Sequence, residues 1–275
     1  MKAQQRRGCT IGVFDSGVGG LSVLRALRAA LPAAELLYFA DSGHAPYGER
    51  AADFVVARSL AIAGFLRSEG AQLLVVACNT ATAAAVQALR AAHDPLPIVG
   101  VEPGVKPAVA LTRNGRVGVM ATAGTLRSQR FRELVRQHAG SIELIAQPCT
   151  GLAACIERGR VDGKALGALL DRHTAPLVEA GCDVVVLGCT HYAFAAAPIQ
   201  RRLGPGVRLL DTADAVARRA ATLASELLPI DAAAHANSVG NGSIRLWSSG
   251  DVGRLDAFAR RHLGLPGGAL HADPA

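Results

Sequence analysis

The chain is poor in lysine and in aromatic residues, and it contains no long uninterrupted apolar stretch. Lysine occurs three times in 275 residues, at Lys2, Lys106 and Lys164, and Phe, Tyr and Trp together make up 4%. No apolar run approaches the roughly 18 to 20 residues of a membrane span, so no membrane association is expected. The opening MKAQQRRG reaches Ile11 without the apolar core of a secretion signal, which points to the cytoplasm. The six cysteines (Cys9, Cys78, Cys149, Cys155, Cys182 and Cys189) include no CxxC pair, and with the histidines they make no four-ligand zinc pattern. Disulfides are not expected in a cytoplasmic chain, and neither is a metal. With 50% hydrophobic residues the chain is neither disordered nor fibrous, and its length suits one large or two small domains.

The formal net charge is +7, but the basic residues are almost all arginines scattered through an alanine-rich chain, as at Arg25/Arg28 and Arg201/Arg202. This reads as compositional bias, so nucleic acid is not expected as the main partner. A mild positive field suits a small anionic substrate. The scarcity of lysine also bears on chemistry. A pyridoxal-phosphate enzyme needs a Schiff-base lysine, and neither Lys106 nor Lys164 has a partner motif. A dinucleotide fingerprint is incomplete as well, because Gly17 and Gly19 are followed by Ser22 where a third glycine belongs. No cofactor is expected.

What is present is a regular alternation. Short Val/Ile/Leu-rich runs at 10–14, 36–40, 72–78, 97–101, 116–121, 183–189 and 207–211 predict strands. Helical patterns at 20–31, 50–69, 80–92, 125–139, 162–180 and 212–228 lie between them. Continuous apolar strands alternating with helices predict an α/β fold with mainly parallel sheets flanked by helices. The chain also resembles itself. IGVFDSGVGGLS from Ile11 aligns with VGVMATAGTLRS from Val117, an offset of 106, and VVACNT around Cys78 aligns with VLGCTH around Cys189, an offset of 111. Two similar domains follow, with the active site in the cleft between them.

Cys78 and Cys189 each end an apolar strand and are followed by helix-start residues, Asn79-Thr80 and Thr190-His191. A cysteine at a strand end beside a helix N-terminus favours the reactive thiolate. Either one alone reads as a small buried residue; two in matching contexts read as chemistry, with His191 able to hold a thiol's proton. Asp15-Ser16-Gly17 opens the first turn, where glycine lets backbone amides approach a ligand. Glu157, in ACIERG, reads from its surroundings as an ordinary solvated carboxylate. Cys9, Cys149, Cys155 and Cys182 read as structural. His44, His93, His138, His173, His235, His262 and His271 read as surface or loop residues.

FDSGVGGLSVL (14–24), FADSGHAPYGER (39–50), VVACNTATA (75–83), GVMATAGT (118–125) and LGCTHY (187–192) together resemble the cofactor-independent aspartate/glutamate racemase family. The likeness continues through LLDTADAVA (209–217) and WSSGD (247–251), and the DSGVGG, PYG and CTHY details favour its glutamate racemases. The resemblance implies an isomerase that interconverts L- and D-glutamate and supplies D-glutamate for peptidoglycan. It implies Cys78 and Cys189 as acid/base residues on opposite faces of Cα, Asp15 assisting Cys78, and Glu157 and His191 assisting Cys189. Substrate contacts would come from Asp15, Ser16, Tyr47, Gly48, Asn79, Thr80, Thr122, Thr190 and His191, with Thr125 a further candidate. It also implies a discontinuous first domain, 1–102 plus 212–275, around a second at 103–211. An aspartate racemase of the same mechanism and a non-catalytic amino-acid-binding protein are the alternatives. A homodimer is an open possibility.

Overall fold

The computed structural model describes residues 9–227 and 242–275; His235 lies outside them. The first part of the chain runs β1 (Thr10–Asp15), α1 (Leu21–Ala30), β2 (Glu35–Ala40), α2 (Ala52–Ser68), β3 (Leu73–Val76), α3 (Asn79–Ala92) and β4 (Ile98–Gly100). It continues with α4 (Val105–Leu111), β5 (Arg116–Ala121), α5 (Ala123–Arg127), α6 (Gln129–His138), β6 (Glu143–Pro148), α7 (Leu152–Glu157) and α8 (Gly163–Glu179). Then come β7 (Val184–Gly188), α9 (Ala196–Leu203), β8 (Arg208–Leu210), α10 (Ala213–Leu227), β9 (Ile244–Ser248), α11 (Val252–Leu263) and β10 (Leu270–His271).

The strands form two sheets, β10-β9-β2-β1-β3-β4 and β6-β5-β7-β8, and every pairing in both is parallel. The α/β class and the two similar halves expected from the sequence are therefore present. The order 2-1-3-4 in one sheet is repeated as 6-5-7-8 in the other, and the register repeats with it. Ile11 faces Leu73 as Val117 faces Val184, and Val75 faces Val99 as Val186 faces Leu210. These are the offsets of 106 and 111 already visible in the sequence. Strands β1, β3, β5 and β7 are buried along nearly their whole length, which explains their unbroken apolar runs.

Three expectations need correction. The helical pattern at 125–139 is two helices, because Ser128 leaves helical geometry and caps α6 by accepting from the Phe131 N–H at 3.1 Å. Strand β6 was not among the expected strands; ELIAQP lies at a sheet edge with both ends exposed, so its apolar signal is short. His93 and His173 are buried: the α8 residue His173 places Nε2 3.0 Å from the Thr150 carbonyl and Nδ1 near Gln147.

One apolar cluster runs from the first sheet through Val18 and α1 (Leu21, Leu24) into the second half (Leu152, Leu170, Tyr192, Ile199), so the two sheets share a core. Separate clusters cover the outer faces, one beneath α2 and α3 and one beneath α4 and α6. No helix among the described residues is long and apolar enough to cross a membrane.

Candidate active site

Parallel strands deliver their carboxyl ends, and the helix N-termini that follow, to one edge of the sheet. Here the two sheets present those edges to each other. Asp15 ends β1, Cys78 follows β3, Thr122 follows β5 and Cys189 follows β7. Asp15, Cys78 and Cys189, with Ser16, Asn79, Thr80, Thr190, His191 and Glu157, are buried, and Thr122 is partly buried.

Cys78 occupies the N-cap of α3, and its Sγ accepts from the Ala81 N–H at 3.4 Å. Its S–H faces the Ser16 hydroxyl at 3.8 Å. Burial pushes this thiol well up, and the carboxylate of Asp15 pushes in the same direction. At rest Cys78 therefore holds its proton. Asp15 is fully buried and accepts from Thr190 Oγ1 at 2.7 Å and Ser16 Oγ at 2.9 Å. Burial raises its pKa, and the nearby His191 charge opposes that rise only in part.

The second thiol sits in a different field. His191 Nδ1 lies 3.9 Å from Cys189 Sγ, and Nε2 lies 2.7 Å from Glu157 Oε2. Burial alone would lower the imidazole pKa, but hydrogen bonds and charges from Cys189 and Glu157 outweigh it, and the net result is well above the ordinary 6.5. Glu157 is buried, which by itself would raise its pKa. Bonds from His191, from Ser42 Oγ (2.6 Å) and from the Val18 N–H (2.8 Å) instead bring it below the ordinary value. The Cys–His–Glu line has the logic of a triad, an imidazole oriented by a carboxylate and aimed at a nucleophilic atom. Glu157 is thus not the solvated carboxylate its local sequence suggests; it is 5% exposed and ties the second half to the first. Two glycines make room for this line, since a Cβ at Gly17 would overlap the Glu157 carboxylate and one at Gly19 the His191 ring.

The remaining candidates fall into place around the thiols. Thr80 Oγ1 lies 2.9 Å from Thr122 Oγ1 and 3.2 Å from Thr125 Oγ1, a hydroxyl cluster crossing between the halves. Asn79 Oδ1 is buried with no hydrogen-bond partner, an acceptor left for a ligand. Gly48 packs against Thr122, where an added Cβ would come within 2.5 Å. Tyr47 is buried, but its hydroxyl donates to Asp41 Oδ2 at 2.5 Å, so the ring and the backbone are what it offers the cleft.

Sequence reasoning missed two neighbours. Cys149, which follows β6, is buried beside Cys189, and burial is the larger cause of its raised pKa. Asp41 holds Tyr47 from outside the cleft; its DSG resembles the Asp15 turn, which was the available signal.

Two parallel α/β halves that face each other across a pair of strand-end thiols define a pseudosymmetric acid/base protein with one cleft. The chain belongs to the Asp/Glu/Hydantoin racemase family, which it matches over residues 11–220. Racemases are isomerases. A glutamate racemase of Ectopseudomonas mendocina (strain ymp) is 48% identical over 256 residues, covering 92% of this chain and 94% of that one. Among solved structures, glutamate racemase isoform RacE1 of Bacillus anthracis superposes with a TM-score of 0.84 at 29% identity, covering 98% of each chain. The Escherichia coli glutamate racemase, solved with L-glutamate and the activator UDP-MurNAc-ala, gives 0.82 at 33% identity over 96% of this chain and 97% of that one.

Proposed function

We propose that this protein interconverts L- and D-glutamate by a two-base proton transfer and supplies D-glutamate for peptidoglycan in the cytoplasm. The observation that carries the reading is the pair of buried cysteines, Cys78 and Cys189, at equivalent strand ends of the two halves. In the direction from L-glutamate, Cys189 Sγ takes the α-proton from one face while His191 supports it. The Cys78 S–H delivers a proton to the other face. The reverse direction exchanges the roles, with Asp15 beside Cys78. Buried hydroxyls and helix-start amides from Ser16, Asn79, Thr80, Thr122 and Thr190 supply donors for two substrate carboxylates and for charge developing at the carbanion. Tyr47 and Gly48 close one wall. The route requires no lysine and no bound electron sink.

Residues 1–102 with 212–275, and 103–211, are the two units we infer for this reaction. Their support is the addition of β9 and β10 to the first sheet beside β2.

The test is a racemisation assay with both enantiomers of glutamate, aspartate, glutamine and alanine, run with the Cys78→Ala and Cys189→Ala variants. Turnover of glutamate above the others, reduced at least about 10³-fold in each folded variant, is expected. Preference for aspartate would replace the substrate; full activity in either variant would remove that thiol from the mechanism.

A further inference from the structure

Tyr47 and Gly48 reach the cleft on a short turn, and the bonds holding that turn lead away from the active site. The Tyr47 hydroxyl donates to Asp41, whose carboxylate is fully buried. Arg58 of α2 grips the same carboxylate with two bonds, Nε to Oδ2 at 3.0 Å and Nη2 to Oδ1 at 2.8 Å. The same guanidinium extends outward: Nη2 donates to Asp273 Oδ1 at 2.8 Å and Nη1 to the Pro274 carbonyl at 2.7 Å. The segment carrying those two acceptors is itself seated on β9. Leu270 and His271 pair with Trp247 and Ser248, and the Ala272 N–H donates to the Ser248 carbonyl at 3.0 Å. The bonds therefore form an unbroken line from residues 270–274 through Arg58, Asp41 and Tyr47 to the wall of the cleft, over more than 200 residues of sequence. Asp41, His44 and Asp273 also lie within 4.8 Å of one another, as cation ligands would, but Arg58 already supplies a positive charge bonded to both carboxylates.

We propose that Arg58 is a positioning residue for substrate binding, coupling the seating of residues 270–274 on β9 to the placement of the Tyr47–Gly48 turn. Resting on the racemase reading, the proposal adds a determinant remote from the thiols. A bidentate guanidinium–carboxylate pair fixes orientation as well as charge, so it can hold Asp41 where the Tyr47 hydroxyl needs it. Because this turn lines the cleft and carries no reacting atom, its displacement should weaken ground state and transition state alike.

The groups facing Asp41 are Arg58 from α2, His44 and Tyr47 from its own loop, the Ser249 hydroxyl beyond β9, and Asp273 beyond β10; Cys78 faces Tyr47 from the cleft side. Burial would raise the Asp41 carboxyl, and bonds from Arg58, Ser249 and Tyr47 bring it below its ordinary value. Without the guanidinium, Asp41 would take up a proton at higher pH, and Tyr47 would lose its anionic acceptor there.

The experiment measures steady-state racemisation of both glutamate enantiomers by the full chain carrying Arg58→Gln, Arg58→Lys or Asp273→Asn, beside the unsubstituted protein. Arg58→Gln is expected to raise KM about tenfold in both directions with kcat within about threefold, and to give KM an upturn at acid pH. Arg58→Lys should recover part of the loss, and Asp273→Asn should raise KM by about two- to threefold. Unchanged KM in folded Arg58→Gln, or a fall in kcat at constant KM, overturns the proposal. If Arg58→Gln fails to fold, an unchanged KM in Asp273→Asn overturns it. Absence of glutamate turnover in the unsubstituted protein would instead sink the racemase reading.

Discussion

Asp15 is buried where its charge is costly, and the direction of its pKa reports that cost. An acid whose folded pKa is raised contributes most stability below its unfolded value, near 3.8, and loses that contribution as pH rises through the folded value. At neutral pH the burial of Asp15 therefore works against the fold, and its presence there points to function. Asp15→Asn is expected to melt no lower than the unsubstituted protein at pH 7, because the amide can still accept from Thr190, while racemisation falls at least about 100-fold. A variant that is destabilised and fully active would contradict this.

His191 and Glu157, unlike Asp15, are held in their charged forms by their partners. The raised pKa of His191 gives stability that is fully present below about 6.5 and is lost as pH climbs through the higher folded value. The lowered pKa of Glu157 gives stability present above about 4.5 and lost as pH falls through the folded value. Between those limits both groups are charged. Glu157→Gln removes one of the two partners that keep the imidazolium protonated. The alkaline limb of kcat/KM for L-glutamate should then move down by about one pH unit or more. An unmoved limb would take Glu157 out of this role. The thiols and His191 were legible in the sequence because strand-end and helix-start signals are local. Glu157 was reached only through the family resemblance: its partners Val18 and Ser42 are 139 and 115 residues away, and no spacing encodes such a meeting.

Among the elements, the central strands of the two sheets share a device. Gly12 in β1 and Gly118 in β5 are equivalent positions, and at both a helix or strand side chain lies on the backbone. A Cβ at Gly12 would stand 2.7 Å from Leu74 Cδ2 and 3.0 Å from Ala71 Cβ; at Gly118 it would stand 2.9 Å from Leu177 Cδ2. The leucine methyls can turn aside, but Ala71 cannot. Both alanine substitutions should therefore destabilise by about 1 to 3 kcal/mol, Gly12→Ala more than Gly118→Ala, in urea or thermal unfolding. Loss of stability at neither position would mean that the strands can separate more easily than their packing suggests. Elements buried on both faces were read from the sequence within a few residues. Strands β6, β9 and β10 were not, because their apolar runs are short or partly exposed, and β9 owes its place to a partner, β2, about 200 residues away.

Over the whole molecule, the repeat is the feature most fully written in the sequence, because it resides in strand registers that apolar side chains specify. Its consequence is one thiol from each half, in unlike fields: Cys78 buried beside a carboxylate, Cys189 beside an imidazolium–carboxylate pair. Two separate bases leave a signature in hydrogen isotopes. When L-glutamate reacts in D₂O, the proton removed by one sulfur stays on that face, and the other sulfur, already exchanged with solvent, supplies the new hydrogen. The most direct measurement is mass spectrometry of the separated enantiomers at a few per cent conversion, where the D-glutamate formed should carry deuterium at Cα and the remaining L-glutamate mostly protium. Substantial protium in that early D-glutamate would mean that a single group serves both faces, and the paired-thiol account would fail.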